Sequence, residues 1–252
     1  MKKAALLLLL CAATLPADQS VVDGFAAMTY RDASGQTMPY RLFVPESYAK
    51  EQQYALVVWL HGGAGRGSDN LRQISGGNTA GTRVWTRPEN QAKYPSLVLA
   101  PQCPSNSNWV GPDYRPTEEL RMVVKLIEEV EREYSIDRER IYVSGQSMGG
   151  YGTWALLAEH PKLFAAGLPV CGGGDLSKTH LIAHTPVWVF HGDEDEMVGV
   201  AKSRVLVEAL RNAGGQVRYS EYAGVGHNSW EKAFAEPDLL PWVFAQKRTN
   251  KP

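Results

Sequence analysis

The segment Gly145-Gln146-Ser147-Met148-Gly149 carries the strongest chemistry in this chain. It follows an apolar run at 141–144 and opens a helix-like pattern that stops at His160-Pro161. A serine on so sharp a strand-to-helix turn has a strained backbone and an exposed hydroxyl. Its neighbours must be small for the strand and helix to approach, and Gly145 and Gly149 meet that need. A glycine-rich turn with an incidental serine is the plain alternative for the pentapeptide alone. The flanking strand and helix favour a nucleophile.

A serine hydroxyl needs a base to take its proton, and the base needs a carboxylate to orient it. On a strand–turn–helix nucleophile these follow in the order acid, then histidine. The run at 187–190 leads into His191-Gly192-Asp193-Glu194-Asp195-Glu196. Asp195 is the expected acid, closing a His-Gly-x-x-Asp pattern, with Asp193 as the alternative. The four adjacent carboxylates lack spaced partners and read as a solvated acidic loop, so no metal ligand is assigned. The run at 217–222 leads to Gly224-Val225-Gly226-His227-Asn228-Ser229-Trp230, and His227 is the expected base. His160 sits at a helix end, His180 and His184 share one connection, and His191 reads as a strand-end support.

Acyl transfer through a serine also needs two backbone N–H groups for the oxyanion. Met148 supplies one by position. The loop in Trp59-Leu60-His61-Gly62-Gly63-Ala64-Gly65 supplies the other, from Gly63 with Ala64 as the alternative, because glycines let a backbone turn its N–H groups inward. These glycines do not cradle phosphate, since no Gly-Lys-Ser/Thr follows. His61 reads as structural, and Arg66 and Asp69 as an ion pair bracing the loop.

The elements that must position these residues are legible as alternation. Strand-like runs fall at 39–44, 55–60, 97–100, 141–144, 165–170, 187–190 and 217–222. The central runs are apolar on both faces, as in a parallel sheet covered by helices. Apolar residues at Leu120, Val123, Val124, Ile127, Val130 and Tyr134 predict a helix over 117–134, with Glu118 and Glu119 in its favourable first turn. Further helices are expected over 199–212, ending at Gly214-Gly215, and over 229–235, with Pro237 and Pro241 breaking the tail. The fold class is therefore α/β, a doubly wound, mostly parallel sheet with helices on both faces. Ligands of such sheets bind at the carboxyl ends of the strands.

The 252 residues, 44% apolar, suit one large domain, expected over 18–252. A formal net charge of -1 without a basic face excludes nucleic acid as a natural partner. Lys2 and Lys3, an apolar run over 4–13 and the small residues around Ala17 predict an export signal over 1–17, placing the protein in the periplasm or outside the cell. That run is far short of the ~20 residues that span a bilayer, and no other stretch qualifies as a span. A lipidated Cys11 is the competing expectation, disfavoured by the bulky Leu10 before it. Cys103 and Cys171 follow strands with two others between them, roughly 14 Å apart, which favours free thiols over a disulfide.

Taken together, His61-Gly62-Gly63, the Ser147 pentapeptide, Asp195 and Gly226-His227 resemble the α/β-hydrolase superfamily over almost the whole of 18–252. Leu60-His61-Gly62-Gly63 with Arg66-Gly67-Ser68-Asp69-Asn70, and Ala100-Pro101-Gln102-Cys103-Pro104, are similar to its phospholipase/carboxylesterase-like branch. That branch includes secreted feruloyl and acetyl esterases, polyhydroxybutyrate depolymerases and predicted peptidases. The chain departs from true lipases in lacking a long lid between 170 and 187, which implies an open cleft. The resemblance implies a carboxylic ester hydrolase without a cofactor, acting on a small-molecule or polysaccharide-linked ester. The alternatives are a serine peptidase of the same fold and a non-catalytic carbohydrate-binding protein. Trp109, Tyr114 and Trp230 are expected near the strand ends, where rings either stack on a sugar or aryl acid or close the core under loops. Trp109 and Trp230 are the assigned substrate contacts.

Overall fold

The computed structural model describes residues 20–248. The expected export signal, including Cys11, lies outside the described residues. Nine strands form one sheet: β1 (Val21–Val22), β2 (Phe25–Arg31), β3 (Thr37–Phe43), β4 (Tyr54–Leu60), β5 (Ser96–Pro101), β6 (Ile136–Gln146), β7 (Ala166–Val170), β8 (Val187–Gly192) and β9 (Val217–Tyr222). Their order is β1-β2-β3-β5-β4-β6-β7-β8-β9. The first three are antiparallel to one another, and β3 is antiparallel to β5. From β5 onward every pairing is parallel. The expected mostly parallel, doubly wound sheet is what forms.

Burial explains why these runs become central strands. Every residue of β4, β5, β7 and β8 is buried. Successive side chains point to opposite faces. In β4, Leu56, Val58 and Leu60 enter one core, whereas Ala55, Val57 and Trp59 enter the other. Helices cover both faces. On the first lie α3 (Glu118–Glu133), α4 (Met148–Glu159) and α6 (Ala201–Asn212), burying Leu126, Trp154 and Leu206 among others. On the second lie α1 (Thr79–Thr86), α7 (Trp230–Ala233) and α8 (Leu239–Ala245), burying Trp85, Ala233 and Val243. The short α2 (Pro88–Gln91) and α5 (Thr179–Ile182) complete the set. The connection 171–186 carries only α5 and one 3-10 turn, Leu176–Lys178.

Local chemistry sets the helix boundaries. Thr117 caps α3 by accepting from the Leu120 N–H, one of the donors that a helix start leaves over. The tail differs from expectation, because α8 contains Pro241. Pro241 falls in the first turn, where its missing N–H would have had no helical partner, so it does not break the helix.

This topology also places the site. The chain runs from β4 outward to β5, then crosses back to β6 on the other side of β4. The winding direction reverses between β4 and β6, and their carboxyl ends carry the 61–65 loop and Ser147. That is the switch-point crevice where open α/β sheets bind ligands.

Candidate active site

Ser147 stands between β6 and α4 with φ 52° and ψ −117°, a conformation that costs a non-glycine residue about 1–3 kcal/mol. The surroundings hold it there. Its N–H donates to Val170 O at 2.9 Å, and its carbonyl accepts from Tyr151 N at 3.1 Å. A Cβ on Gly145 would stand 2.4 Å from Gly149 O, and one on Gly149 would stand 1.9 Å from Leu60 O. Both glycines are therefore required by contact between backbones.

Three side chains from three loops converge. His227 Nε2 lies 2.8 Å from Ser147 Oγ, and His227 Nδ1 lies 2.7 Å from Asp195 Oδ2. A carboxylate only accepts, so Nδ1 carries hydrogen and Nε2 accepts from the serine hydroxyl. Asp195 Oδ1 accepts backbone N–H groups from Met197 at 3.0 Å and Val198 at 2.9 Å. Burial works to raise the Asp195 pKa, but the Val198 N–H, His227 and the Met197 N–H outweigh it, so the carboxyl sits below its ordinary range. The His227 side chain is 14% exposed and that of Asp195 0%, so of the two only His227 reaches solvent. Asp193, the alternative acid, accepts instead from Gly224 N at 2.8 Å and braces that turn.

On the other side of Ser147, Gly63–Gly65 forms a single 3-10 turn. The N–H groups of Gly63, Ala64 and Met148 meet no acceptor among the described residues. Gly62 is fixed just before them, its N–H donating to Asn78 Oδ1 at 2.9 Å. Gln146 Nε2 donates to Gly77 O at 2.8 Å and ties the Ser147 turn to the same segment. Neither Asn78 nor Gln146 has a sequence signal of its own, since a polar residue among glycines looks like any loop.

His61 is fully buried and braces two loops. Its Nε2 accepts from Cys103 N at 3.0 Å, and its Nδ1 lies 2.7 Å from Gly62 O. Burial pushes its pKa down to about 4, so it stays neutral. Trp109 corrects an expectation. Its side chain is fully buried, its N–H donates to His61 O at 3.1 Å, and its ring lies 5.0 Å from the imidazole. It closes the core beneath the loop and has no surface to offer a substrate. Trp230 is half-buried and meets the His227 ring edge-on at 5.4 Å and 88°. Tyr114 stacks on Tyr151 at 6.0 Å and 8°, and Lys202 reaches its hydroxyl at 3.4 Å. The expected Arg66–Asp69 pair does not form. Asp69 bonds Arg72 at 3.0 Å and Gln102 at 2.8 Å, whereas Arg66 holds Gly63 O at 3.2 Å and Ser107 O at 3.4 Å.

The backbone at 172–174 packs tightly against α4. A Cβ on Gly172 would lie 2.5 Å from Gly150 C, one on Gly173 2.8 Å from the Tyr151 ring, and one on Gly174 2.9 Å from Trp154 Cβ. Cys171, just before them, is free and buried, as is Cys103. A Cys171 Sγ, an Asp195 oxygen and a His227 nitrogen lie within 4.8 Å of one another, the one such cluster among the described residues. Burial pushes the thiol up to about 12, and the other two groups are already bonded to each other. This trio therefore reads as the back of the Ser147 site. No helix among the described residues is long and apolar enough to cross a membrane.

Residues 116–188 match the prolyl oligopeptidase family. The chain is 44% identical to a solved thermostable esterase, with a TM-score of 0.86, covering 90% of this chain and 64% of that one. It is 26% identical over 193 residues to a probable feruloyl esterase C of Aspergillus flavus, covering 75% of this chain and 67% of that protein. It is 29% identical over 106 residues to a bifunctional acetylxylan esterase/xylanase of Neocallimastix patriciarum, covering 42% of this chain and 15% of that protein. The chain thus spans less than two thirds of the length of the first and the last of these. Its fold is that of the α/β-hydrolases.

Proposed function

We propose that this chain is a serine hydrolase that cleaves carboxylic esters through an acyl intermediate on Ser147. One observation carries the reading: an unbroken hydrogen-bonded line from Asp195 through His227 to the hydroxyl of a strained serine. In this reading Oγ attacks the ester carbonyl carbon as its proton passes to His227 Nε2. The tetrahedral oxyanion is held by the Met148 N–H and by that of Gly63 or Ala64. Each such donor contributes about 10²–10³ in rate. Collapse breaks the carbon–oxygen bond, and His227 returns the proton to the departing alkoxide. A water molecule then attacks the acyl carbon as its proton passes to Nε2; the carbon–Oγ bond breaks, Nε2 returns the proton to Oγ, and the acid leaves with Ser147 restored. Asp195 stays ionised throughout and fixes the tautomer.

The substrate class we favour is a small acyl or aryl-acyl ester on a carbohydrate, or a simple carboxylic ester, with Trp230 and Tyr114 flanking the cleft. The 171–186 connection carries only α5 and one 3-10 turn, which supports the expected open cleft. We further infer a single domain over 18–252, exported by residues 1–17. A peptidase activity is the second reading, and the match to the prolyl oligopeptidase family favours it.

The purified protein and its Ser147→Ala variant are to be assayed on p-nitrophenyl acetate, butyrate and octanoate, on methyl ferulate, and on peptide anilides. Saturable ester turnover that Ser147→Ala lowers by ~10³-fold or more is the expected result. Equal inactivity of both proteins on every ester, with turnover of the anilides by the parent, transfers the assignment to the second reading. Inactivity on all substrates refutes both.

A further inference from the structure

The proton path from Ser147 to Asp195 makes no use of His191, yet that side chain is fully buried against the acid. Its Nε2 lies 2.7 Å from Val198 O and 3.2 Å from Asp195 Oδ2. Its Nδ1 lies 2.7 Å from Ser203 Oγ, on α6. Val198 O and the carboxylate can only accept, so Nε2 carries the hydrogen. Burial pushes the imidazole below its ordinary range, against the pull of Val198 O and Asp195, so it carries only that one. Nδ1 then accepts from the Ser203 hydroxyl.

We propose that His191 is a positioning residue for the hydrolase, with Ser203 fixing its tautomer. Its one N–H is bonded to Val198 O and lies beside Asp195 Oδ2, 3.2 Å from Nε2, locking the 195–198 turn and tempering the negative charge that faces His227. The proposal rests on the serine-hydrolase reading above. Asp195 Oδ1 is served by two backbone N–H groups, whereas Oδ2 is bonded to His227 and faces the polarised N–H of His191 at 3.2 Å. The oxygen that orients the base is therefore itself oriented by a second histidine. Removing that donor leaves Oδ2 with more charge for His227, which then holds a proton to higher pH. It also strands the Val198 carbonyl in the core, which frees the turn to drift.

Other charged and titratable groups face this pair. On β9, Glu221 stands beside His191 in register and is held ionised down to about 2 by Arg204, with help from the Tyr219 hydroxyl. Cys171, at the end of β7, stays protonated up to about 12. Tyr151 of α4 is pushed above its ordinary range by burial. Asp193, Glu194 and Glu196 on the acid loop are exposed to solvent. Glu221, Cys171 and Tyr151 keep one charge state across an assay from about pH 5 to 9.

The test compares His191→Phe, His191→Gln and Ser203→Ala with the parent on p-nitrophenyl acetate, each rate referred to serines titrated with a fluorophosphonate. His191→Phe is expected to lower kcat at least about tenfold with KM within about threefold. It should also move the acid limb of kcat/KM about half a unit to higher pH. His191→Gln keeps an N–H near the Nε2 position and should restore most of both. Ser203→Ala should move the limb the same way by less. An unmoved limb in folded His191→Phe, or a glutamine variant as impaired as the phenylalanine one, overturns the proposal. If His191→Phe does not fold, Ser203→Ala decides by whether its limb moves. A fully active Ser147→Ala would instead overturn the hydrolase reading itself, whereas an inactive one with unmoved limbs overturns only the role of His191.

Discussion

Consider Gly149→Ala, on the first turn of α4. Helix propensity favours alanine there by about 1 kcal/mol. Packing opposes it, because the new Cβ would stand 1.9 Å from Leu60 O, 2.6 Å from Leu60 C and 2.9 Å from His61 O. All three are backbone atoms, so no side chain can swing aside. Cβ atoms keep about 3.0 Å from such neighbours, so α4 and the end of β4 must part by roughly 1 Å, at a cost of about 1–3 kcal/mol. The steric term wins, and the net loss should lower Tm by several degrees, roughly 2–4 °C for each kcal/mol in a chain of this size. The larger effect is catalytic. Met148 moves with α4 and Gly63 with the 61–65 loop, so the two N–H groups proposed to hold the oxyanion would separate. A misplacement of about 1 Å costs about 10² in rate. Ester turnover per titrated serine and a melting curve measure both losses. Gly199→Ala is the control, since nothing lies within 4 Å of its Cβ position. Parent-like turnover and Tm in Gly149→Ala would refute the argument from backbone contact.

Two further outcomes follow from the site and its edge. Asp195→Asn should lower kcat by about 10⁴ by leaving His227 in the wrong tautomer, whereas Asp193→Asn should cost less than about tenfold because it only braces Gly224; comparable losses would reopen the choice of acid. Glu221, held down to about 2 chiefly by its hydrogen bonds from Arg204, should stabilise the fold above its unfolded pKa near ~4.3 and lose that contribution as pH falls toward 2. Glu221→Gln should therefore lower Tm at pH 7 and leave it unchanged near pH 2, read from melting curves across that range.

The parallel core was legible because its strands are apolar on both faces, which few loops or helices imitate at that length. The convergence of Ser147, Asp195 and His227 was legible because each follows a strand, and strand ends share one edge of the sheet. What sequence missed lies where tertiary context overrides local pattern. The run Thr79–Thr86, with its glycine and three threonines, is a poor helix former, yet it folds as α1 because Val84 and Trp85 are buried against the sheet. Pro241 looked like a breaker because its place in the first turn depends on where α8 begins. Trp109 looked like a substrate contact because a ring in a loop carries no mark of which way it turns. The binding of Asp69 to Gln102 and Arg72 rather than Arg66 depends on how two loops fold back, and spacing along the chain does not encode that.

The three consecutive glycines beneath α4 also mark where this scaffold can be altered. Every side chain added at 172–174 meets α4, the helix that follows Ser147, so a substitution there must displace that helix or its side chains. The 105–108 loop differs. Ser105, Asn106 and Asn108 are exposed on a loop whose base is pinned by the buried Trp109. A library meant to keep the fold would do best to randomise those three positions and leave the three glycines intact.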